Sequence, residues 1–253
     1  MSRKLVTHTV ESTADARSFF DRCAPAYAEQ HGDAERLFKY RTALIKQHAR
    51  FSKTDVLLDL ACGTGEHLLA LASDIAQGIG VDLSPGMIEV AEQKLAASFY
   101  SSKLDFRVDN GEELATLADN SIDVAICVGA FEHMLDKQAV LSQVYRVLEP
   151  AGRFFCLTLN GDYIWYKRLA PLVGLETRHL STDRFLTKTE FVQMLSKAGF
   201  KKIRAGYWTF IPKGDMPAAV GTLLAGMDLM GQALGINSLR GGLLVCAEKE
   251  ERL

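Results

Sequence analysis

The stretch LLDLACGTGEHLLALA, residues 57–72, decides how this chain is read. An apolar run carries Asp59, passes through Ala61, Cys62, Gly63, Thr64 and Gly65, and gives way to a helical pattern. A strand, a glycine-bearing turn and a helix in that order make a nucleotide-binding turn, because glycine lets backbone approach the ligand closely. The rest of the chain has to say which nucleotide.

Further apolar runs suited to buried parallel strands follow at 78–83, 103–108, 121–128 and 153–159, with the first at 55–60. Between them the spacing predicts helices near 65–74, 85–98, 111–118 and 136–148. Ser84 before Pro85 is an N-cap and first-turn pair, and Gly152 reads as a helix stop. Thr187 with Glu190 makes a capping box for a helix over 188–198, followed by strands at 200–206 and 242–248. Alternating strands and helices with short connections predict an α/β fold, a doubly wound parallel sheet covered on both faces. Residues 1–50 read as an N-terminal helical cap with two helices, and 51–253 as the main domain, with insertions near 160–186 and 207–241.

With 253 residues, 29 basic and 31 acidic side chains, the chain has a formal charge of −2. That balance argues against a nucleic-acid partner, which needs a broad basic field. The five cysteines show no CxxC pair and read as core residues in a reducing compartment, with no metal site. The first 17 residues lack an apolar signal-peptide core, so a cytoplasmic location is expected.

Three successive strands end in an acid: Asp59, Asp82 and Asp109. In an open α/β sheet all three face one crevice beyond the carboxyl ends of the strands. Asp82 follows Asp59 at the distance expected of an acid that binds ribose hydroxyls. A dinucleotide fits less well: Leu68 stands where the third glycine belongs, and Glu66 puts negative charge where a pyrophosphate would sit. A phosphate-free ligand carrying an ammonium and a sulfonium suits this crevice better.

VLLDLACGTGEH (56–67), GVDLSPGMIEVAEQK (80–94), RVDNGEEL (107–114) and SIDVAICVGAFEHM (121–134) resemble the successive motifs of class I S-adenosylmethionine-dependent methyltransferases. The nearest flavour is the small-molecule branch of ubiquinone and menaquinone C-methyltransferases. FFDRCAPAYAEQHG (19–32) and VLEPAGRFFCLTL (147–159) are similar to further segments of that branch. The resemblance implies a Rossmann-like seven-stranded sheet of order 3-2-1-4-5-7-6 with the last strand antiparallel. It also implies S-adenosyl-L-methionine as cofactor and S-adenosyl-L-homocysteine as product. Asp59 and the turn Ala61, Gly63, Thr64, Gly65 would surround the methionine moiety. Asp82 would bind the ribose, Leu83 and Met87 the adenine face. Asp109 would accept from the adenine amino group beside Asn110 and Gly111. Val128 and Gly129 would lie under the cofactor, and Tyr27 would close over its carboxylate.

Methyl transfer from a sulfonium is an in-line displacement that needs alignment, exclusion of water and, for an oxygen or carbon acceptor, a general base. Glu132 and His133 are the candidates, each with a structural reading beside the catalytic one. No Asn/Asp-Pro-Pro-Tyr motif of nucleic-acid base methylation follows the fourth strand. The acceptor pocket is expected from the cap and the two insertions, where Trp165, Tyr166, Tyr207, Trp208 and Phe210 suit an apolar or aromatic acceptor. The apolar segment 217–236 reads as a packed helix, a lid, or a membrane- or dimer-contacting helix. Two other functions compete: a non-catalytic S-adenosylmethionine-binding regulatory domain, and a nicotinamide-dependent oxidoreductase.

Overall fold

A computed structural model of the chain describes residues 7–27, 34–172, 174, 177–209 and 218–251. Seven strands form one sheet: β1 (Val56–Leu60), β2 (Gln77–Asp82), β3 (Leu104–Val108), β4 (Ile122–Val128), β5 (Leu148–Leu159), β6 (Lys201–Trp208) and β7 (Gly242–Glu248). Their order is β3-β2-β1-β4-β5-β7-β6. β7 runs antiparallel to both β5 and β6, and the other pairings are parallel. The helices are α1 (Thr13–Cys23), α2 (Ala34–His48), α3 (Glu66–Leu71), α4 (Pro85–Ala96), α5 (Lys137–Val147), the single turn α6 (Ala170–Leu172), α7 (Lys188–Lys197) and α8 (Ala218–Leu234).

The period of two along the strands sorts side chains into two cores. Leu58 and Leu60 of β1 join Val140, Leu141 and Val144 of α5 and Phe191 and Leu195 of α7 on one face. Leu57 goes to the opposite face, with Leu37 and Ile45 of α2, Leu68 and Leu71 of α3, and Ile88 and Ala91 of α4. Each fully buried leucine or phenylalanine adds about 1.5–3 kcal/mol over its exposed state, so both layers hold the sheet. α2 therefore lies on the sheet itself, whereas α1 sits over the strand ends against α4.

The predicted caps form. Ser84 Oγ accepts from Met87 N–H at the start of α4, and Thr187 and Glu190 complete the capping box of α7. Two local expectations fail. Residues 111–118 make turns, because the Asp109 carboxylate takes hydrogen bonds from the N–H groups of Asn110, Ala115 and Thr116 and from the Thr116 hydroxyl. One side chain thus replaces the bonds a helix would have supplied. Gly152 is no helix stop either: α5 ends at Val147, and Gly152 lies inside β5. A Cβ there would stand 2.7 Å from the Glu149 carbonyl oxygen, so the bend at 149–152 leaves room only for glycine.

The expected aromatic cluster divides. Trp165 packs with Tyr163, Ala170 and Leu224 beneath α8, while Trp208 is buried in the α2 face and donates Nε1–H to the Thr158 carbonyl at 3.1 Å. Phe210 lies outside the described residues. α8 is anchored by Leu224 and by Asp228, whose Oδ1 accepts from Gly241 N–H at 2.8 Å and from Arg240 Nε at 3.3 Å. Its other side exposes Leu223, Leu229, Met230 and Leu234. Among the described residues no helix is long and apolar enough to cross a membrane.

Candidate active site

A cavity opens beyond the carboxyl ends of β1, β2, β3 and β4, where the strand order reverses between β1 and β4. Its floor comes from the strand ends: Leu60, Ala61 and Gly63 after β1, Asp82 and Leu83 after β2, Asp109, Asn110 and Gly111 after β3, and Gly129 and Ala130 after β4. Met87 of α4 closes one side. Thr13, Ala16 and Phe20 of α1 and Tyr27 cover it, and His133, Met134 and Leu135 complete the wall.

The turn after β1 holds three left-handed residues, Ala61, Gly63 and Gly65, at φ 55°, 54° and 76°. It is pinned from below. A Cβ on Gly65 would stand 2.6 Å from Cζ of Phe106, so α3 rests directly on β3's side chain. From the front, the Gly63 N–H donates to Asp82 Oδ2 at 2.8 Å, and Ser84 N–H donates to Asp82 Oδ1 at 2.9 Å. Each oxygen of Asp82 keeps acceptor capacity beyond that one bond. Burial pushes the Asp82 carboxyl up to about 6, against the pull of those backbone donors.

Several sequence-predicted residues stand elsewhere. Asp59 does not line the cavity: it is buried within β1, and its Oδ2 has no hydrogen-bond partner. Burial, with the Asp82 charge behind it, pushes its carboxyl up to about 8. Thr64 and Gly65 shape the turn without reaching the wall; Thr64 Oγ1 accepts from Lys94 at 2.9 Å. Val128 also misses the cavity, because the alternation of β4 turns its side chain into the α2 face. Asp109 is in the wall, and its carboxylate accepts hydrogen bonds from its own loop. Glu132 is buried outside the wall, where Oε2 accepts from the Thr158 hydroxyl at 2.7 Å. Among the described residues, neither 160–186 nor 207–241 contributes to the wall.

His133 stays in the wall and acquires a partner that sequence reading missed. Its Nδ1 lies 2.6 Å from Asp183 Oδ1, and Asp183 Oδ2 accepts from the N–H groups of His179 and Leu180. Although burial opposes it, the bond to the His133 ring, with those backbone donors behind it, holds the Asp183 carboxyl below its ordinary value. An ionised carboxylate only accepts, so Nδ1 carries the proton and Nε2 is the ring's acceptor. Asp183 lies 50 residues from His133 in a loop without periodicity, and no sequence signal marks it.

A family model described as a methyltransferase domain matches residues 58–156. A demethylmenaquinone methyltransferase of Symbiobacterium thermophilum is 33% identical over 171 residues, 62% of this chain and 67% of that protein. The ubiquinone/menaquinone biosynthesis C-methyltransferase UbiE of Syntrophotalea carbinolica is 30% identical over 215 residues, 75% of this chain and 87% of that one. The chain belongs to the class I S-adenosylmethionine-dependent methyltransferases. The solved [4+2]-cyclase SpnF shares the fold with a TM-score of 0.71 at 18% identity, covering 99% of this chain and 100% of its own. A fold shared with a cyclase carries no reaction by itself; the sequence relatives make this chain a methyltransferase, and S-adenosylmethionine its cofactor.

Proposed function

We propose that the enzyme methylates a hydroxylated aromatic or quinol-type small molecule, on oxygen or on a ring carbon activated by that oxygen. The observation that carries this is His133, in the wall of the cofactor cavity with its Nδ1 held by Asp183. The relatives' quinone-type acceptors and the apolar cover of Ala16, Phe20, Met134 and Leu135 support the same reading.

The cavity suits the adenosyl cofactor on its own features. Asp82 offers open acceptor positions for a ribose diol. Met87 and Leu83 give an apolar face for adenine, beside the Asn110–Gly111 backbone. The left-handed turn Ala61–Gly63 brings bare backbone to the methionine end, above the unpartnered Asp59 carboxyl, which an ammonium nearby would balance. Tyr27 lies over Gly63: a Cβ there would meet its Cε1 at 3.6 Å.

The bound cofactor supplies an electrophilic methyl on its sulfonium. The remaining work falls to the chain. Phe20, Met134 and Leu135 exclude water, and the strand ends align donor and acceptor. His133 Nε2 takes the acceptor's hydroxyl proton as its oxygen, or the conjugated carbon, becomes the nucleophile. Asp183 fixes the tautomer and balances the imidazolium that forms.

The test is methyl transfer to a panel of dihydroxyaromatic and quinol acceptors by wild type, His133→Gln and Asp183→Asn. General acid–base catalysis contributes typically 10²–10⁴-fold, so kcat should fall by about that for His133→Gln, with KM for the cofactor unchanged. Asp183→Asn should lower kcat and alter the acidic limb of its pH profile. Undiminished kcat in both variants on an accepted substrate would remove the base from the mechanism.

A further inference from the structure

Ahead of α1, residues 8–10 form a strap beside the loop 179–183, which carries the partner of His133. His8 and Leu180 pair as an isolated parallel bridge. The His8 N–H donates to the His179 carbonyl at 2.8 Å, and the Ser181 N–H donates to the His8 carbonyl at 2.8 Å. The Ser181 hydroxyl completes the tie. Its Oγ accepts from Val10 N–H at 2.9 Å and donates to the Val10 carbonyl at 3.2 Å.

Residues 179–181 serve two masters. His179 N–H and Leu180 N–H hold Asp183 Oδ2 at 2.9 and 3.0 Å, while the His179 carbonyl and Ser181 N–H are spent on His8. Asp183 N–H returns to the Leu180 carbonyl, and Arg184 N–H donates to the carbonyl of Glu132, the residue before His133. A carboxylate bound by backbone donors takes its place from that backbone. The Asp183 side chain, and the His133 ring that it orients, therefore follow the path of 179–181.

The strap's other end is the cap. Val10 lies two residues before Ser12, the N-cap of α1, and Thr13, Ala16 and Phe20 of that helix cover the cavity. Val10, Ala16 and Leu180 are buried in one cluster, with Phe20 and Leu135 packed against it. A run of rings makes the same connection: His8 to Phe19 at 4.7 Å, Phe19 to Phe20 at 5.2 Å, and Phe20 to His133 at 5.6 Å between centroids. A cap that lifts at this end carries the strap away from the loop and leaves Asp183 without its support.

We propose that Ser181 is a positioning residue for methyl transfer, fastening the strap to the loop so that cap closure and alignment of the His133–Asp183 pair are one event. The inference rests on the reading of His133 as the base. Closure that completes a catalytic constellation ties chemistry to the presence of the bound donor and to the exclusion of water. Ser181 itself is outside the cavity wall.

The test compares wild type, Ser181→Ala, Ser181→Thr, His8→Pro, which removes the donor to His179, Asp183→Asn and the double variant Ser181→Ala/Asp183→Asn. Ser181 is exposed, so losing its hydroxyl opens no cavity. A misplacement of about 1 Å can cost 10²-fold, so Ser181→Ala and His8→Pro should each lower kcat by about 10-fold or more on an accepted dihydroxyaromatic substrate. Ser181→Thr, which keeps the hydroxyl, should recover most of that. The double variant should be no slower than Asp183→Asn, because both changes act through one pair. Two readouts need no turnover. The ¹⁵N imidazole spectrum of His133 should show a protonated Nδ1 in wild type and a mixture of tautomers in Ser181→Ala. S-adenosylhomocysteine should slow amide exchange at His8 and Ser181 in wild type, although neither lines the cavity. An unchanged imidazole spectrum in Ser181→Ala, unchanged exchange at His8 and Ser181, or losses that multiply in the double variant would each overturn the proposal. A reduced kcat in His133→Gln beside full kcat in Ser181→Ala and His8→Pro overturns this inference alone. Full kcat in His133→Gln removes the base, and this inference with it.

Discussion

Two buried carboxyls at the ends of β1 and β2, Asp59 beneath the cavity and Asp82 in its floor, hold protons more tightly than free aspartate does, and each has a measurable consequence. Asp82 is pushed up to about 6 by burial. Ribose hydroxyls bind best to its ionised form, so ligand binding must release the proton below that pH. S-adenosylhomocysteine affinity should rise as pH goes from 5 to 7 and then level off, with Asp82→Asn weak and flat throughout; a flat wild-type profile would remove Asp82 from the ligand. Asp59 is pushed up to about 8, from 3.8. The folded protein then holds this proton where the unfolded chain has lost it. The stability linked to it is complete below about pH 4 and is lost as pH rises towards 8. In ligand-free protein, Asp59→Asn should melt above wild type at pH 8, with the gap closing by pH 4. A gap that persists unchanged at pH 4 would show that the charge is not its cause. Asp82 was legible as a strand-end acid at the right spacing. The engagement of Asp109 by its own loop was not, because it depends on the Thr116 hydroxyl and on backbone donors up to seven residues away.

Elements with an apolar period were legible because burial on one face forces that period. The β-strands and the capped helices α4 and α7 are of this kind. Gly152 and residues 111–118 were not legible, since in both places local hydrogen bonding and close packing overrode propensity. α8 poses the reverse problem: its composition is apolar nearly all round, which gives no bearing. Its orientation is set by Asp228, fully buried and tied to Arg240 and to the Gly241 N–H just before β7. Truncation orphans a buried arginine and a backbone donor together, a change worth about 3–5 kcal/mol for a broken buried pair. Asp228→Ala should therefore lower stability by that order in denaturant titration. Asp228→Asn, which keeps an acceptor, should lose less. Amide exchange along α8 should quicken in the alanine variant while that of β1 and β4 scales only with global stability. Equal stability of wild type and Asp228→Ala would mean that Leu224 and its neighbours alone hold the helix.

At the scale of the whole molecule, the site is a junction. Four strand ends, α4, α1, Val140 of α5 and the loop carrying His133 meet at one cavity. His8 pairs with Leu180, and Asp21 accepts from Ser84 and Gly86, so α1 is tied down at both ends and rests on the cavity between them. The sequence order of the motifs made the strand ends legible as one crevice. The cap's contribution was not, because it depends on how segments far apart in the chain dock. A ligand filling this junction joins parts that otherwise separate when the chain opens, so it should stabilise the molecule globally and α1 locally. At about 100 times its dissociation constant, S-adenosylhomocysteine should add roughly 2.7 kcal/mol, seen as a raised melting temperature, and NAD should add nothing. Amide exchange of Thr13–Cys23 should slow by more than that of α7, which packs on the sheet and has no residue in the cavity wall. Asp82→Ala should abolish both effects at the same ligand concentration. Stabilisation by NAD, or protection of α7 and α1 in equal measure, would mean that the ligand does not bind beneath the cap.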